Sequence, residues 1–401
     1  EEHNKQHAVS ECDVCIVGGS IAGLALSIGL RTRFPDLHIA LFERRQFTKA
    51  GAVLGVAPNG QKAIRELSEE STLLSSILNE GQEVKGPPEL NCRPMTVLVF
   101  WYQLRDILLE YAQHLGGNLS VYTQMELQDM TEAQDAETVT VSFQDTTAQK
   151  QRTTVSAKLV VGADGINSTV RRLMRLPPAV VSDTTSIRGT VVIDHNNKSL
   201  RQKIDGSLIF SHQDTTLYLI TIEKNQNVIS WALSSKTTNL IDDEGVDATE
   251  KILMLLGYHE RDDKSVEEKE KLELAAAVLR ATDPENVVRA QNAVMDMSTG
   301  WGHRPHHPCA TLVGDAAHAC RPTDGQGGNM ALEDCVVLCR AFTKHRNLSR
   351  NNVKELIQDF EQTRLPRVQR LHKDQSDRAQ LPPGKWVSWT SEFVDWVHQG
   401  V

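Results

Sequence analysis

The stretch from Asp13 to Glu43 restricts the possible folds of this chain more than any other. A short apolar run, Val14-Cys15-Ile16-Val17, reads as a buried strand, and a turn of small residues, Gly18-Gly19-Ser20-Ile21-Ala22-Gly23, follows it. An amphipathic helix pattern runs through Leu24, Leu26, Ile28 and Leu30, and a second apolar strand, Ile39-Ala40-Leu41-Phe42, ends on Glu43. Strand, glycine turn, helix, strand and terminal acid form a dinucleotide-binding βαβ unit. Glycines at 18 and 23 let the backbone approach a pyrophosphate closely. Its charge is then held by the free N–H groups and dipole of the helix start at Ser20, Ile21, Ala22 and Gly23. A carboxylate about 20 residues further on accepts from a ribose diol, and Glu43 has that place. Ser20 stands where the usual fingerprint has its second glycine and is small enough to keep the approach close.

Composition excludes several classes. The formal net charge of −9, with a pI near 5.9 and no basic stripe, argues against a nucleic-acid surface. The longest apolar run, around residues 21–30, is too short to span a bilayer, and no signal peptide precedes the first strand. A cytoplasmic location is expected, although the chain begins without Met, so that a targeting segment could have been trimmed from it. Seven cysteines suit no disulfide framework, and Cys335 with Cys339 lacks partners for zinc. Free buried thiols in a reducing compartment are expected.

After Glu43 the pair Arg44-Arg45 flanks an adenosine position. Residues 51–60 read as a turn between short strands, then a helix N-capped by Asn59 and running to Leu67. A loop is expected over 81–94, a strand at Val97–Phe100, and a helix from Gln103 to Leu115. Strands follow at Leu119–Tyr122, Thr138–Phe143 and Thr153–Val161, the last delivering Gly162-Ala163-Asp164-Gly165 to a sheet's carboxyl edge, where ligands sit in open α/β folds. Alternating strands at Thr190–Asp194, Ser207–His212, Leu217–Glu223 and Val228–Ser234 read as an inserted antiparallel sheet. Residues 258–273 read as a solvated helix face, and a strand near Ala293–Met297 leads back to the core. A buried strand, Ala310–Val313, precedes Gly314-Asp315-Ala316. Pro322-Thr323-Asp324-Gly325-Gln326-Gly327-Gly328-Asn329 then opens a helix over Met330–Phe342, a second anion-ready terminus capped near Asn329.

These three separated motifs, in this order, resemble the single-component FAD-dependent aromatic hydroxylases, the para-hydroxybenzoate hydroxylase-like flavin monooxygenases. The resemblance covers most of residues 10–375, including Arg364-Leu365-Pro366-Arg367. It implies an α/β fold: a Rossmann-like FAD-binding domain with an inserted, mostly antiparallel substrate sheet and C-terminal helices. The FAD-binding βαβ unit would span 10–80, a loop 81–95, and the FAD-binding continuation 96–180. The substrate sheet would follow over 181–295, the Gly-Asp motif with its helix over 296–345, and the terminal helices over 346–401. It further implies that Glu43 holds the adenosine ribose and that Asp164 and Gly165 serve both FAD and the nicotinamide donor. Asp315, with Ala316, would face the ribityl or ribose side of FAD, and Gly325, Gly327, Gly328 and Asn329 the flavin pyrimidine edge, with Pro322 beside the reacting face. An arginine common in the family is replaced by Trp101, leaving Arg105, one turn on, as its substitute.

The activity implied is a monooxygenase. NADPH or NADH reduces the flavin transiently, and a C4a-hydroperoxide formed with molecular oxygen hydroxylates or epoxidises an aromatic or electron-rich small molecule. Arg188 is the candidate for an anionic or phenolic substrate, against a surface arginine at a strand start. His212 reads as a turn residue, Trp231 as core, and His303, His306 and His307 as a loop without metal partners. The stripe Trp386, Trp389, Phe393, Trp396 and Val397 is expected to pack on the body or on a second subunit, making a homo-oligomer, rather than on a membrane. A halogenase, an FAD dehydrogenase without oxygen insertion, and a non-catalytic FAD-binding protein are the alternatives. The Trp-x-Trp-x-Ile-Pro signature of the first is missing.

Overall fold

The computed structural model describes residues 10–48, 52–68, 71–84, 96–132, 137–147, 149–194, 198–204, 207–222, 227–236, 248–301, 307–381 and 390–401. The expectations for Gly51, for the stretch 85–94, for His303 and His306, and for Trp386 and Trp389 lie outside them.

The chain opens with β1 (Glu11–Val17), α1 (Ile21–Arg33) and β2 (Ile39–Phe42). Next come β3 (Val53–Val56), α2 (Pro58–Ser68), α3 (Ser71–Glu80), β4 (Gln82–Val84), β5 (Thr96–Phe100) and α4 (Trp101–Leu115). The run β6 (Leu119–Tyr122), β7 (Met125–Thr131), β8 (Val139–Asp145), β9 (Arg152–Gly162) leads to α5 (Thr169–Leu173) and β10 (Val180–Val192). Then follow α6 (Lys198–Lys203), β11 (Ser207–His212), β12 (Thr215–Ile222), β13 (Val228–Ser235), α7 (Ala248–Leu255), α8 (Val266–Arg280) and β14 (Val288–Val294). The last elements are β15 (Ala310–Leu312), α9 (Asp315–His318), α10 (Gly327–Lys344), α11 (Arg350–Ala379) and α12 (Ser391–Gln399).

Three sheets organise these elements. In the first, β6, β2, β1 and β9 are parallel, and β8 and β7 add antiparallel strands. β9 is long enough to pair β8 with its first half and β15 with its last, Ala310 to Leu312 lying against Val160 to Gly162. Val14 to Val17 and Ile39 to Phe42 are buried throughout because helices cover one face and sheet neighbours the other. The second sheet, β11-β12-β13-β10-β14, is antiparallel, with Ile187, Trp231 and Leu233 packed on α7 and α8. The third, β3-β5-β4, is small and antiparallel. No helix among the described residues is long and apolar enough to cross a membrane, and the six described cysteines are free thiols.

Several expectations change. α1 is not amphipathic: every residue from Ile21 to Leu30 is buried, because α10 and α2 cover the side away from the sheet. Asn59 is no cap; it lies inside α2, with its side chain buried in a polar network. Asn329 likewise sits within α10, whose cap position is Gln326. Part of the expected 81–95 loop is strand β4, and β7, too polar to show a period, was missed. β10 begins at Val180 rather than Thr190, and β14 ends at Val294, near where a strand was expected to start. The segment 258–273 is not wholly solvated, since Tyr258 and, in α8, Leu272 are buried.

Candidate functional site

Two hollows lie along the first sheet's carboxyl edge and the facing antiparallel sheet. The first is a groove of about 530 Å³ lined by residues including Gly18, Ser20, Glu43, Arg44, Arg105 and Asp164. Gly18 is required by its own chain: its φ is +112°, and a Cβ there would meet the Ala163 carbonyl oxygen at 2.4 Å. Gly23 is equally fixed, 1.9 Å separating its hypothetical Cβ from the Gly18 carbonyl oxygen. Ser20 fits the glycine position because its Oγ donates to the Ala163 carbonyl at 3.1 Å. The first bond within α1 runs from the Leu24 N–H to the Ser20 carbonyl. The N–H groups of Ile21, Ala22 and Gly23 therefore remain for a ligand.

Glu43 is poised by two backbone donors, Gly19 N–H at 2.8 Å and Arg45 N–H at 2.9 Å. Arg105 reaches this groove from the second turn of α4. Its guanidinium stacks on Phe47 at 5.0 Å and on Trp101 at 5.4 Å, and it donates to the Thr48 carbonyl and to Asp106. Trp101 is thus a platform for the arginine one turn on. Asp164 lines the groove but turns its carboxylate inward, accepting from Ser168 Oγ and the Thr169 and Val170 N–H groups at the start of α5. Burial pushes its carboxyl up against those bonds.

The second hollow is a cavity of about 350 Å³ between β3, β12, β13, the turn 323–326 and α12. Apolar groups dominate it, with Tyr218, Ser230, Asp324, Gln326 and His398 among the polar ones. Asp324 is clamped by both Arg378 Nη atoms and by Gln375, holding the turn rigidly. Burial raises the Tyr218 hydroxyl's pKa and nearby Asp324 adds to it, keeping the phenol protonated. Pro322 begins this turn but is exposed and outside the cavity lining. Asn329 pins the turn to β3, accepting from Ala57 N–H at 2.9 Å and donating to the Gly55 and Gly325 carbonyls. The first bond within α10 is Met330 N–H to the Gln326 carbonyl, so Gly327, Gly328 and Asn329 keep free N–H groups.

A buried ionic network that sequence reasoning missed stands behind both termini. Asp334 accepts from Gly314 N–H at 2.7 Å and Arg364 Nε at 2.7 Å, and lies 2.6 Å from His318 Nε2. Burial alone would raise its carboxyl; His318 and Arg364 outweigh burial and hold it below the usual range. Glu333 is bound by Arg364, Arg367 and Asn59. The network fixes Gly314 and so aims Asp315, whose side chain stays exposed, while Ala316 is buried and its carbonyl accepts from Arg171. The paired carboxylates one turn beyond Asn329 were the available signal.

Arg188 sits between the two hollows. The register Tyr218↔Ala232↔Arg188↔Val288 crosses β12, β13, β10 and β14, and directly paired residues share one face. Tyr218 and Ala232 line the cavity and Val288 the groove. Arg188 has no carboxylate partner among the described residues, and burial lowers its pKa.

FAD fits this arrangement. A Cβ built on Gly165, Gly325 or Gly328 meets nothing within 4 Å, leaving open space beside the backbone at both hollows. Two helix N-termini with unused N–H groups, a carboxylate held by backbone donors and an apolar cavity suit the anionic, polar and apolar parts of a flavin dinucleotide.

Residues 61–375 match the family model described as FAD binding domain, and the chain belongs to that family, the para-hydroxybenzoate hydroxylase-like flavoproteins. It is an oxidoreductase, with the mixed α/β fold of the flavin-dependent monooxygenases. Its relatives include 6-methylsalicylate 1-monooxygenase of Aspergillus terreus, 23% identical over 92% of this chain and 82% of that protein. Hispidin-3-hydroxylase of Neonothopanus nambi is 24% identical over 92% of this chain and 89% of its own. Among solved structures, CtdE in complex with FAD and a substrate superposes with a TM-score of 0.71 at 19% identity, covering 92% of this chain and 90% of that one. PqsL of Pseudomonas aeruginosa, in complex with 2-aminobenzoylacetate, gives 0.69 at 17% identity over 96% and 99%.

Proposed function

We propose that this enzyme is an FAD-dependent monooxygenase that draws electrons from NADPH or NADH. It transfers one atom of O2 to an aromatic or otherwise electron-rich small molecule. The observation that carries the reading is the Tyr218–Ala232–Arg188–Val288 row: Arg188, without a carboxylate partner among the described residues, lies between the apolar cavity and the glycine-turn groove. Bound FAD would supply the redox and oxygen chemistry. The residues of the chain do the rest. Ile21, Ala22 and Gly23 N–H groups would hold the diphosphate, Glu43 the adenosine ribose, and Asp315 the ribityl side. Gly327, Gly328 and Asn329 N–H groups would face the pyrimidine edge, Gly325 leaving room beside it. Arg188 would draw a phenolate or carboxylate toward the junction of the two hollows, and the cavity's apolar walls exclude water there. The relatives' names, a methylsalicylate monooxygenase and a hispidin hydroxylase, support phenolic substrates.

The test begins with the flavin spectrum of the purified protein. NADPH and NADH oxidation is then followed with phenols, indoles and polyenes, and products are weighed for one added oxygen atom. Equal oxidation with every compound, releasing only hydrogen peroxide, would overturn the reading. Arg188→Ala should weaken the apparent affinity for anionic members of the panel by about tenfold or more, while Arg188→Lys retains part of it.

A further inference from the structure

Gln326 lines the cavity while only 3% exposed, and its Nε2 makes no hydrogen bond among the described residues. Its orientation is dictated from behind. Glu333 Oε2 accepts from Arg364 and Arg367, and Oε1 from Arg367, and guanidinium groups can only donate. Asn59 lies 2.8 Å from Glu333 Oε1 and must therefore turn its amide nitrogen to that oxygen. The same nitrogen's second hydrogen points to Gln326 Oε1 at 3.0 Å. Gln326 is left with its carbonyl against Asn59 and its NH₂ toward the cavity. Asn59 Oδ1 is buried without a partner among the described residues, a cost this orientation accepts. Two arginines thus set the direction of a neutral donor through two amides.

We infer that Gln326 Nε2 is a fixed hydrogen-bond donor that selects ligands carrying a carbonyl or oxyanion on the ring, with Asn59 as its positioning residue. This deepens, and rests on, the reading that an aromatic small molecule occupies the cavity. An aliphatic or thioether side chain at 326 would leave the cavity apolar but without selection. Tyr218 supplies another donor on its wall, and Arg188 a further one at the junction with the groove, so the contribution of Gln326 has to be read by difference.

The experiment uses FAD-loaded protein and matched probes: 2′-hydroxyacetophenone with 2-ethylphenol, and 3-acetylindole with 3-ethylindole. Dissociation constants come from the perturbation of the flavin's visible spectrum. The wild-type protein should bind the acetyl members about tenfold more tightly. Gln326→Met should erase that preference while holding the ethyl members' constants within about twofold. Gln326→Glu should shift preference to the 1-hydroxyethyl analogues, and Asn59→Leu should reduce the acetyl preference without affecting the ethyl members. A wild-type protein that does not discriminate, or a Gln326→Met variant that still prefers the acetyl probes with FAD bound, overturns the inference alone. A protein that takes up no FAD overturns the proposed function with it.

Discussion

Removing the Arg364 guanidinium takes a cation from two fully buried carboxylates, leaving Glu333 to Arg367 and Asp334 to His318. Breaking one side of a buried pair costs about 3–5 kcal/mol, mostly the penalty of leaving charge uncompensated. Arg364→Ala is therefore expected to lower unfolding free energy by up to about that amount in a urea titration, and to loosen flavin retention because Asp334, without Arg364 on its other oxygen, holds Gly314 less firmly. His372 offers a second residue-level test. Burial lowers its pKa from 6.5 to about 4, and its Nε2 donates to the His318 carbonyl at 3.1 Å. The unfolded chain takes up that proton near pH 6.5 and the folded one only near pH 4. This contribution is thus fully present above the upper value and is lost as pH falls toward the lower. Stability measured across that window should fall by up to about 3 kcal/mol, and His372→Gln should flatten the decline.

At the scale of elements, the turn between β1 and α1 depends on its own backbone as much as on any ligand. Gly18→Ala combines a positive φ with a 2.4 Å approach to the Ala163 carbonyl oxygen. The variant should lose FAD and soluble expression together, a result read by absorbance of the purified fraction. α12 is held differently. Lys62 donates to the His398 and Gln399 carbonyls and Arg367 to those of Trp396 and Val397, the otherwise unsatisfied end of that helix. Trp396 lies between Arg367 and Arg370, on the body of the protein. Lys62→Ala should raise protease sensitivity around residues 390–399 and weaken ligand binding in the cavity, which α12 helps to wall.

The elements legible in the sequence were those set by local rules. The glycine turn, Glu43 and the strands Ile39–Phe42 and Ser207–His212 follow from contiguous residues. β7 was illegible because its polar antiparallel pairing shows no period, and the start of β10 because Asp183 and two threonines interrupt the apolar pattern. The misreading of Asn59 shows the deeper obstacle. A cap is a local role, whereas its partners Gln326 and Glu333 lie 267 and 274 residues away.

For the whole molecule, the cofactor would touch pieces from Gly18 to Asn329, so its binding should stabilise the fold broadly. At a free FAD concentration a hundredfold above the dissociation constant, unfolding free energy should rise by about 2.7 kcal/mol. Thermal melts with and without added FAD check this; an unchanged midpoint would contradict a site assembled from these segments. The arginine row between the hollows was visible in the sequence only as Arg188 before a glycine. Its placement needed the register of four strands, which no single segment encodes.

The pairing of β9 with β1 on one side and β15 on the other has a consequence for biosynthesis. Gly162 must wait on the ribosome for a neighbour near Leu312, and the cavity for a wall near Val397. Until those residues are made the nascent chain therefore exposes an unfinished sheet edge and an unroofed apolar hollow. Chaperones and flavin supply during synthesis would then govern yield more than refolding afterwards.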